Sequence, residues 1–302
     1  MKAKGEFPMG SKKGLSGLMQ QWIFVGPAIV FFTLIVFVPF LMSIYYSFTE
    51  WNGVTTNVKL NGLDNFKHIL VDDKDYHKAF WFTTRFTVVS VVLTNLVGFA
   101  LAMLLTQALK TKNILRTIFF MPNVIGGLLL GFIWQFIFVK GFSTIGELTN
   151  ISFFELPWLG TSGTAFWAIV IVSVWQTSGY LMIVYIAALM NVPKDMIEAA
   201  YIDGATRWQM LRKITVPLIM PAVTVCLFLS ISWAFKMFDL NVSLTKGGPF
   251  NSTESVALNI YQEAFRNNRY GLGTAKALIF FVVVALISTI QVVYTKRKEV
   301  EV

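Results

Sequence analysis

Polar and charged side chains are rare in this sequence, and several of them lie within stretches that are otherwise apolar. Lys236 and Asp239 stand three residues apart in one such stretch, and Lys276 lies in another. A charge in an apolar environment is costly unless it faces a partner or a water-filled cavity. Residues i and i+3 share one face of a helix. Lys236 and Asp239 are therefore expected either to pair with each other or to meet a ligand.

Aromatic and hydrogen-bonding side chains occur in the same apolar stretch as Lys236 and in the stretch before it. Aromatic faces pack on the C–H surface of a ligand, and amide and hydroxyl groups bond to its oxygens. In mid-helix, such groups favour a wet cavity or the interior of a bundle. The candidate ligand-pathway residues are Trp175, Gln176, Thr177, Tyr180, Trp233, Lys236 and Asp239. Further cavity candidates, for which plain packing is an equal alternative, are Asn123, Trp134 and Gln135.

The chain lacks the motifs that enzymes use for phosphate binding or metal-assisted hydrolysis. Neither G-x-x-x-x-G-K-[ST] nor H-E-x-x-H occurs in it. Cys226 is the one cysteine, so neither an intrachain disulfide nor a Cys-based metal site can form. His68 and His77 lie in a polar segment typical of a solvated loop. We predict no catalytic residue, no metal and no cofactor in this chain, and any energy for its work must come from another chain.

Long apolar stretches dominate the 302-residue chain, which is 55% hydrophobic and 14% charged, with a mean hydropathy of +0.63. A soluble domain has about 25% charged residues, whereas about 20 consecutive apolar residues cross a membrane. These values predict an all-α membrane protein with six transmembrane helices. The predicted spans are 22–48, 86–109, 117–139, 164–190, 217–240 and 273–294.

The net charge of +9 is unevenly distributed along the chain. If both termini lie inside, Lys and Arg exceed Asp and Glu in the inside segments and balance them outside. The positive-inside rule then places both termini in the cytoplasm. The excess charge needs no nucleic acid partner. Four parts are predicted: a basic cytoplasmic tail (1–21), the first span with an outer loop (22–85), the core spans (86–295) and a cytoplasmic tail (296–302).

Two shorter patterns predict local structure. A short amphipathic helix at 63–70 is expected to lie on the outer surface of the membrane. Gly127 and Gly131 form a G-x-x-x-G pattern in the third predicted span, which lets two helices approach closely. Packing within the chain is the favoured interpretation, and a specific dimer contact is the alternative.

A charged segment, EAAYIDGATRWQMLRKITVP (198–217), interrupts the apolar stretches on the predicted inside. Pro193 suits the first turn of a helix, and Gly204 can end that helix in the left-handed conformation. Thr206 and Gln209 match a capping box that begins a second helix, which Pro217 is expected to end. This helix–turn–helix offers apolar side chains to lipid or to a soluble partner: Trp208, Met210 and Leu211.

The same segment resembles the EAA loop of ABC importer permeases at Glu198-Ala199-Ala200, Gly204, Ile214 and Pro217. Asp203-Gly204-Ala205 resembles the carbohydrate-importing branch, as do GPAIVFFTLIVFVPFLMSIYYSFTEWNG, NGLDNFKHIL and LTKGGPFNSTESVALNIYQEAF elsewhere in the chain. The resemblance implies a type I ABC importer permease fold, in which the loop at 191–216 is the cytoplasmic coupling helix that docks on an ATPase. The residues it implicates in coupling are Glu198, Ala199, Ala200, Asp203, Gly204, Trp208, Met210 and Leu211.

The resemblance also implies a function and a set of partners. The chain would be a permease subunit, not an enzyme, that moves an oligosaccharide or related sugar across a bacterial cytoplasmic membrane by alternating access. A second, homologous permease, two ATPase subunits and an extracytoplasmic solute-binding protein would complete the importer. The ATPases would bind ATP and Mg²⁺. Membrane lipid and the sugar are the other expected partners.

Family positions that contact sugar match Trp175, Gln176, Tyr180, Trp233, Lys236 and Met237. Lys236 is unusual for the family, so we hypothesise that it tunes substrate choice toward an acidic sugar, with the Lys236–Asp239 pair as the alternative. An importer of polyols, glycerol phosphodiesters or peptides would carry the same loop. A channel or a membrane enzyme is less favoured because the in-span charges are too few for a pore ring or a catalytic set. A binding-only scaffold would leave the coupling loop unexplained.

Overall fold

The computed structural model describes residues 15–299, with side chains from Trp22 onward, and every regular element in this range is a helix. In chain order the helices are α1 (15–47), α2 (Asp64–Val71), α3 (Lys74–Leu105), α4 (Lys112–Val124), α5 (Gly127–Thr149), α6 (Ser152–Glu155), α7 (Ser162–Met190), α8 (Lys194–Ile202), α9 (Arg207–Leu218), α10 (Met220–Phe235), α11 (Asp239–Leu244), α12 (256–266) and α13 (Tyr270–Lys296). Residues 1–14 of the predicted N-terminal tail and 300–302 of the C-terminal tail lie outside the described range.

Five of these helices are long and apolar enough to cross a membrane: α1 from Trp22, α3, α5, α7 and α13. The pair α9 and α10 passes the same test together, but the two helices meet at a bend of 73°. The described chain therefore contains five candidate spans, or six if the bent pair counts as one. The prediction of an all-helical membrane protein is confirmed.

The helices α3 and α7 form the centre of the bundle. Gly98 of α3 lies so close to α7 that an added Cβ would stand 3.0 Å from Leu181 Cβ and 3.1 Å from the Ser178 carbonyl oxygen. Phe86 of α3 and Ile169 of α7 belong to the same buried apolar cluster. Helix α10 packs on α3, and α13 packs on α10. These four helices leave α1 at the periphery, where most of its apolar side chains stay exposed, as suits contact with lipid.

Helix α3 begins at Lys74, well ahead of the predicted span start at residue 86. The cause is a local cap: the Asp73 carboxylate accepts a hydrogen bond from the Tyr76 backbone N–H at 2.8 Å, which satisfies one of the donors that a helix start leaves free. The first turns of α3 are polar, so a search for apolar stretches does not detect this part of the helix. The surface helix α2 lies at Asp64–Val71, close to the predicted 63–70.

The third predicted span, 117–139, is not one helix. Helix α4 ends at Val124, Ile125 and Gly126 are extended with ψ of 126° and 139°, and α5 begins at Gly127. Glycine lowers the cost of leaving the helix at this point. The span is instead α5, which continues to Thr149.

The G-x-x-x-G pattern packs within the chain, as the favoured interpretation predicts. A Cβ added at Gly131 would collide with the Ser243 hydroxyl of α11, and one added at Gly127 would stand 2.9 Å from Asp239 Cβ. The two glycines therefore let α11 lie directly against α5.

The fifth predicted span, 217–240, is also broken. Pro217 does not end the helix before it, because α9 continues to Leu218 and the bend lies at Ile219. A π-helical turn at Leu211–Thr215 precedes the proline and changes the hydrogen-bond register. At the other end, α10 stops at Phe235, and α11 begins only at Asp239.

Candidate functional site

A cavity of about 340 Å³ lies where α10 stops, between α3, α7 and the junction of α4 and α5. Ser90 and Gln176, which line it, stand near the mid-points of α3 and α7. Its lining residues are Ser90, Thr94, Asn123, Gly127, Ser173, Gln176, Thr177, Ser230, Trp233, Ala234, Lys236, Met237, Phe238, Asp239 and Leu240. The cavity is therefore a site of mixed polar and apolar lining at mid-depth in an apolar bundle.

Two of the three breaks in the predicted spans, at Ile125–Gly126 and at 236–238, open onto this cavity. Non-helical backbone at membrane depth is tolerated where protein or water satisfies its polar groups. The Gln176 amide donates to the Ile125 carbonyl oxygen at 3.1 Å, which serves the break between α4 and α5. The Ser255 hydroxyl donates to the Met237 carbonyl oxygen at 2.9 Å, which serves the break between α10 and α11. Side chains from elsewhere in the fold thus hold both breaks open beside the cavity.

Most of the candidate pathway residues line the cavity: Gln176, Thr177, Trp233, Lys236, Met237 and Asp239, together with Asn123. Trp175 and Tyr180 do not. Trp175 packs edge-on against Trp134 at 5.4 Å between ring centroids, and Tyr180 packs edge-on against Trp233 at 5.2 Å. Gln135 also points elsewhere, with its amide 3.5 Å from the Leu244 carbonyl oxygen. Tyr180 thus packs behind the lining residue Trp233, whereas Trp175 and Trp134 pack on each other outside the lining.

The alternative of a Lys236–Asp239 pair is wrong, because no ion pair joins the two side chains in the described chain. Lys236 and Asp239 would share a face only on one continuous helix. Lys236 instead caps the end of α10 and Asp239 begins α11, so the i, i+3 geometry is lost. Both side chains are exposed at the cavity. Two opposite charges are thus available there without neutralising each other.

Four hydroxyls in the lining were not predicted from the sequence: Ser90, Thr94, Ser173 and Ser230. The Ser230 hydroxyl donates to the Cys226 carbonyl oxygen at 2.8 Å and accepts from the Asn95 amide at 2.9 Å. The Ser90 hydroxyl is buried and makes no hydrogen bond to another group of the described chain. The signal for these residues was available as hydroxyls in apolar helices, but such groups are common and often bond only to their own helix.

The charged segment between α7 and α10 folds as a helix–turn–helix. Helix α8 begins after Pro193 and ends at Ile202, and Gly204 follows in the left-handed conformation with φ of 76°. The Ala205 N–H donates to the Ala200 carbonyl oxygen at 3.0 Å, which closes the end of α8. Thr206 and Gln209 form the predicted capping box at the start of α9. The turn at Gly204 and the capping box are as predicted, whereas the end of α9 is not, because this helix continues past Pro217.

The apolar surface of this segment differs from the predicted one. Trp208 is 66% exposed, but Met210 and Leu211 are half-buried. Tyr201 and Ile202, in the last turn of α8, are 76% and 84% exposed and were missed. The three large apolar side chains exposed around the turn, which we call the turn patch, are Tyr201, Ile202 and Trp208. Glu198, Ala199, Asp203 and Gly204 are also exposed, whereas Ala200 is buried.

A group of charged residues is buried at the start of α3. Lys276 is only 1% exposed, and its ammonium group lies 2.8 Å from an Asp73 carboxylate oxygen and 2.7 Å from one of Glu263. It also donates to the Asn259 amide oxygen at 3.0 Å. This group, which we call the lysine cluster, joins the start of α3 to α12 and α13. The charge of Lys276, which the sequence left without a role, thus meets protein partners.

Two carboxyl groups at this end have shifted pKa values. Burial alone would raise the pKa of Asp73, but the hydrogen bonds from Lys276 and the Tyr76 N–H and the charge of Lys276 hold it below its usual value. Burial raises the pKa of Glu254, although a hydrogen bond from the Asn259 amide opposes the rise.

Within the described residues, no group of three or more His, Cys, Asp or Glu side chains is arranged to hold a metal ion.

Comparison with known proteins agrees with this architecture. The family described as "Binding-protein-dependent transport system inner membrane component" matches residues 94–300. The probable starch degradation products transport system permease protein AmyD of Thermoanaerobacterium thermosulfurigenes is 48% identical over 280 residues, covering 93% of this chain and 95% of that protein. The multiple sugar-binding transport system permease protein MsmF of Streptococcus mutans is 32% identical over 279 residues, covering 92% and 96%.

A solved structure shares the fold across almost the whole chain. It is a bacterial ABC transporter involved in the import of the acidic polysaccharide alginate, with a TM-score of 0.79 and 19% identity, covering 93% of this chain and 98% of that one. The fold is that of a type I ABC importer permease. The family match, the two relatives and this fold lead to one conclusion: the chain belongs to the family of binding-protein-dependent transport system inner membrane components.

Proposed function

We propose that this chain is a permease subunit of a carbohydrate ABC importer and that the 340 Å³ cavity is its substrate site. The observation that carries the proposal is the lining of this cavity. It combines hydroxyls, two amides and an indole at mid-depth in the bundle, which matches the hydroxyl and C–H surfaces of a sugar. The relatives named for starch degradation products and for multiple sugars support the same substrate class.

The charges of Lys236 and Asp239 favour a second candidate within this class. Both face the cavity and neither pairs with the other. Lys236 would attract the carboxylate of an acidic sugar, while Asp239 would accept hydrogen bonds from the hydroxyls of a neutral one. The first candidate is a short α-glucan such as maltotriose, and the second is a uronic acid oligosaccharide.

The turn patch is the proposed docking surface for an ATPase. It projects three large apolar side chains, Tyr201, Ile202 and Trp208, beside a helix end fixed by Gly204. Such a patch fits a cleft on a partner protein, since large exposed apolar groups around a rigid turn serve well as anchors. The ATPase would bind ATP and Mg²⁺, and Glu198 would orient α8 against it.

We also propose an orientation in the membrane and a set of partners. Both termini and the turn patch would face the cytoplasm, because the segments with an excess of Lys and Arg would then lie on the inner side of the membrane. Two ATPase subunits, a second permease and an extracytoplasmic solute-binding protein would complete the importer in a bacterial cytoplasmic membrane. The exposed apolar surface of α1 would meet lipid or the second permease.

The test is reconstitution of the transporter purified from its own cells in gentle detergent. Mass spectrometry is expected to find a second permease, an ATPase and a binding protein with this chain. Proteoliposomes that contain the complex are expected to take up radiolabelled maltotriose only when ATP is present on the ATPase side. Recovery of this chain alone, or uptake that does not depend on ATP, would refute the proposal.

A further inference from the structure

Helix α3 carries four hydroxyl residues at helical spacing: Thr83, Thr87, Ser90 and Thr94. Separations of four, three and four residues place them on one face of the helix. All four are buried, so this face points into the bundle and away from lipid. We call these residues the hydroxyl stripe. The candidate pathway residues predicted from the sequence all come from α7, α10 and α11 or the break between α10 and α11, and none comes from α3.

The two ends of the stripe have partners. The Thr83 hydroxyl accepts a hydrogen bond from the Val256 backbone N–H at 2.9 Å, at the start of α12. The Thr94 hydroxyl lies 3.4 Å from that of Thr177 on α7. The stripe therefore runs from the end of α3 near the lysine cluster to the cavity.

The two middle hydroxyls, of Thr87 and Ser90, have no hydrogen-bond partner in the described chain although they are buried. A hydroxyl in a helix usually avoids this cost by donating to the carbonyl oxygen four residues earlier. Thr84, beside them on α3, does so at 2.8 Å, and Thr177 does so at 2.7 Å. The hydroxyls of Thr87 and Ser90 do not make that hydrogen bond, so both can bond to a ligand.

The position of Ser90 indicates what that ligand is. Ser90 lines the proposed substrate cavity together with Thr94, and Thr87 lies one turn nearer the end of α3 that meets α12. Each hydroxyl can both donate and accept a hydrogen bond, as sugar hydroxyls can. A polyhydroxylated chain can use both the donors and the acceptors of such a row at successive positions, whereas an apolar solute uses neither and a bare anion uses only the donors.

We propose that the hydroxyl stripe is a substrate track, in which Thr87 and Ser90 bind hydroxyls of a neutral oligosaccharide as it passes between the α12 end of the bundle and the cavity. This inference rests on the proposed function and adds a wall of the site to it. Ser90 is a specificity residue in the cavity, and Thr87 is a contact on the way to it. Thr87 acts before or after the sugar meets Ser90, Lys236 and Asp239, which line the cavity together.

Cysteine accessibility tests the track directly. Cys226 is buried and is the one cysteine of the chain, so Cys226→Ala gives a background without thiols. In the reconstituted complex, Thr87→Cys and Ser90→Cys are expected to react with a small, water-soluble thiol reagent. Maltotriose, added with the binding protein and ATP, is expected to slow both reactions at least about 3-fold. Val92→Cys, two residues from Ser90 and exposed on the outer surface of α3, is the matched control. We expect lipid to cover this position and leave it unmodified.

Uptake kinetics provide the second readout. Ser90→Ala removes one hydrogen bond to an uncharged group, so we expect the KM for maltotriose to rise about 3- to 10-fold, with kcat unchanged. Ser90→Thr keeps the hydroxyl and is expected to restore the KM. Ser288→Ala, which removes a buried hydroxyl on α13 outside the cavity, is the control and is expected to leave the KM unchanged.

The outcomes separate the track from the proposed function. If the wild-type complex takes up maltotriose but Ser90→Cys is neither modified nor protected, the track is wrong and the importer stands. A KM unchanged by Ser90→Ala would likewise overturn the track without affecting the importer. If the wild-type complex takes up no neutral oligosaccharide, both the proposed function and the track fail for this substrate class.

Discussion

At the scale of single residues, the most constrained charges lie away from the cavity. The lysine cluster holds one ammonium group between two carboxylates that are each about one-tenth exposed. A buried ion pair contributes little net stability over an apolar replacement, but removal of one member leaves an uncompensated buried charge. The cluster thus fixes the geometry of α3, α12 and α13 and makes that end of the bundle sensitive to any change of charge.

Replacement of Lys276 by Met is expected to destabilise the protein strongly, because Asp73 would lose its cation and Glu263 would keep only the exposed Arg269, 3.7 Å away. The expected loss is about 3–5 kcal/mol. Thermal unfolding of the purified complex in detergent measures it as a fall in Tm. Lys78→Met is the matched control: it removes an exposed lysine from a 3.6 Å pair with Asp75, and such pairs contribute about 0–1 kcal/mol. Equal losses in the two variants would contradict the role of the cluster.

The same cluster predicts a dependence on pH. The folded-state pKa of Asp73 is lowered, so its contribution to stability is complete above the unfolded-state pKa of about 3.9 and is lost as the pH falls through the folded-state value. The difference in Tm between wild type and Lys276→Met should therefore be constant near neutral pH and shrink in strong acid. A difference that grows on acidification would reverse this sign.

The charge of Lys236 leads to a prediction about substrate choice. Lys236→Gln is expected to raise the KM for a uronic acid oligosaccharide at least about 10-fold, since a hydrogen bond to a charged group contributes about 1.5–3 kcal/mol. The KM for maltotriose should stay within about 2-fold, because Gln keeps a donor. Lys59→Gln, in an exposed loop away from the cavity, is the control. Uptake of every sugar unchanged by Lys236→Gln would remove the hypothesis.

At the scale of helices, the sequence predicted the unbroken spans well and the broken ones poorly. The predicted spans 164–190 and 273–294 lie within α7 and α13 and differ from them by only a few residues at each end, because an uninterrupted apolar run determines a spanning helix. The breaks at Ile125–Gly126 and Ile219 fall within equally apolar sequence. A hydropathy pattern does not register a change in backbone dihedrals, so these breaks depend on tertiary partners such as Gln176.

The cavity was predictable in part for a related reason. Lys236, Asp239 and Gln176 are expensive in an apolar helix, so their types alone pointed to a site. Ser90 and Thr94 carry little energetic cost in such a helix, since a hydroxyl can bond to its own helix. Their residue types alone therefore did not indicate a site. Trp175 and Tyr180 lie outside the lining, and composition alone does not tell whether an aromatic residue lines a cavity or packs behind its wall. Departures from local rules, at the α4–α5 and α10–α11 breaks and at the unpartnered Ser90 hydroxyl, lie around the same cavity.

The contact between α5 and α11 gives a prediction at this scale. Gly131→Ala is expected to lower the Tm, because the added methyl group collides with Ser243 and overpacking costs about 1–3 kcal/mol. Gly163→Ala, near the start of α7, meets nothing within 4 Å and is expected to be neutral or to stabilise the helix. If both variants shift the Tm equally, the close packing of α11 on α5 is not required.

The turn between α8 and α9 is the second element with a testable role. Gly204→Pro forces φ to about −65° at a position that needs 76°, so it should displace the turn patch and abolish ATP-driven uptake while the chain still inserts. Gly62→Pro creates the same conflict at a φ of 60° in the loop before α2 and is expected to leave most of the uptake intact. Uptake that survives Gly204→Pro would argue against a coupling role.

At the scale of the whole molecule, the two ends of the bundle have different characters. Near the end of α3, Met103 and Thr106 line a pocket with Glu198 of α8, so the turn patch belongs to that end. At the start of α3, Asp73 meets Lys276 near the start of α13, so the lysine cluster marks the other end. The cavity lies between them. A solute that crosses the bundle must therefore pass from the lysine-cluster end to the turn-patch end or in reverse.

The direction of transport requires that the turn patch face the cytoplasm, and this orientation is the last prediction. In the Cys226→Ala background, Val54→Cys lies in an exposed loop near α13, and Asp203→Cys lies in the turn after α8. A membrane-impermeant maleimide applied to intact spheroplasts should label only Val54→Cys, and permeabilisation should add Asp203→Cys. The thiol-free parent should stay unlabelled throughout. Since one chain cannot satisfy the positive-inside rule in both directions, the reverse pattern would invert the bundle and place the turn patch out of reach of any cytoplasmic ATPase.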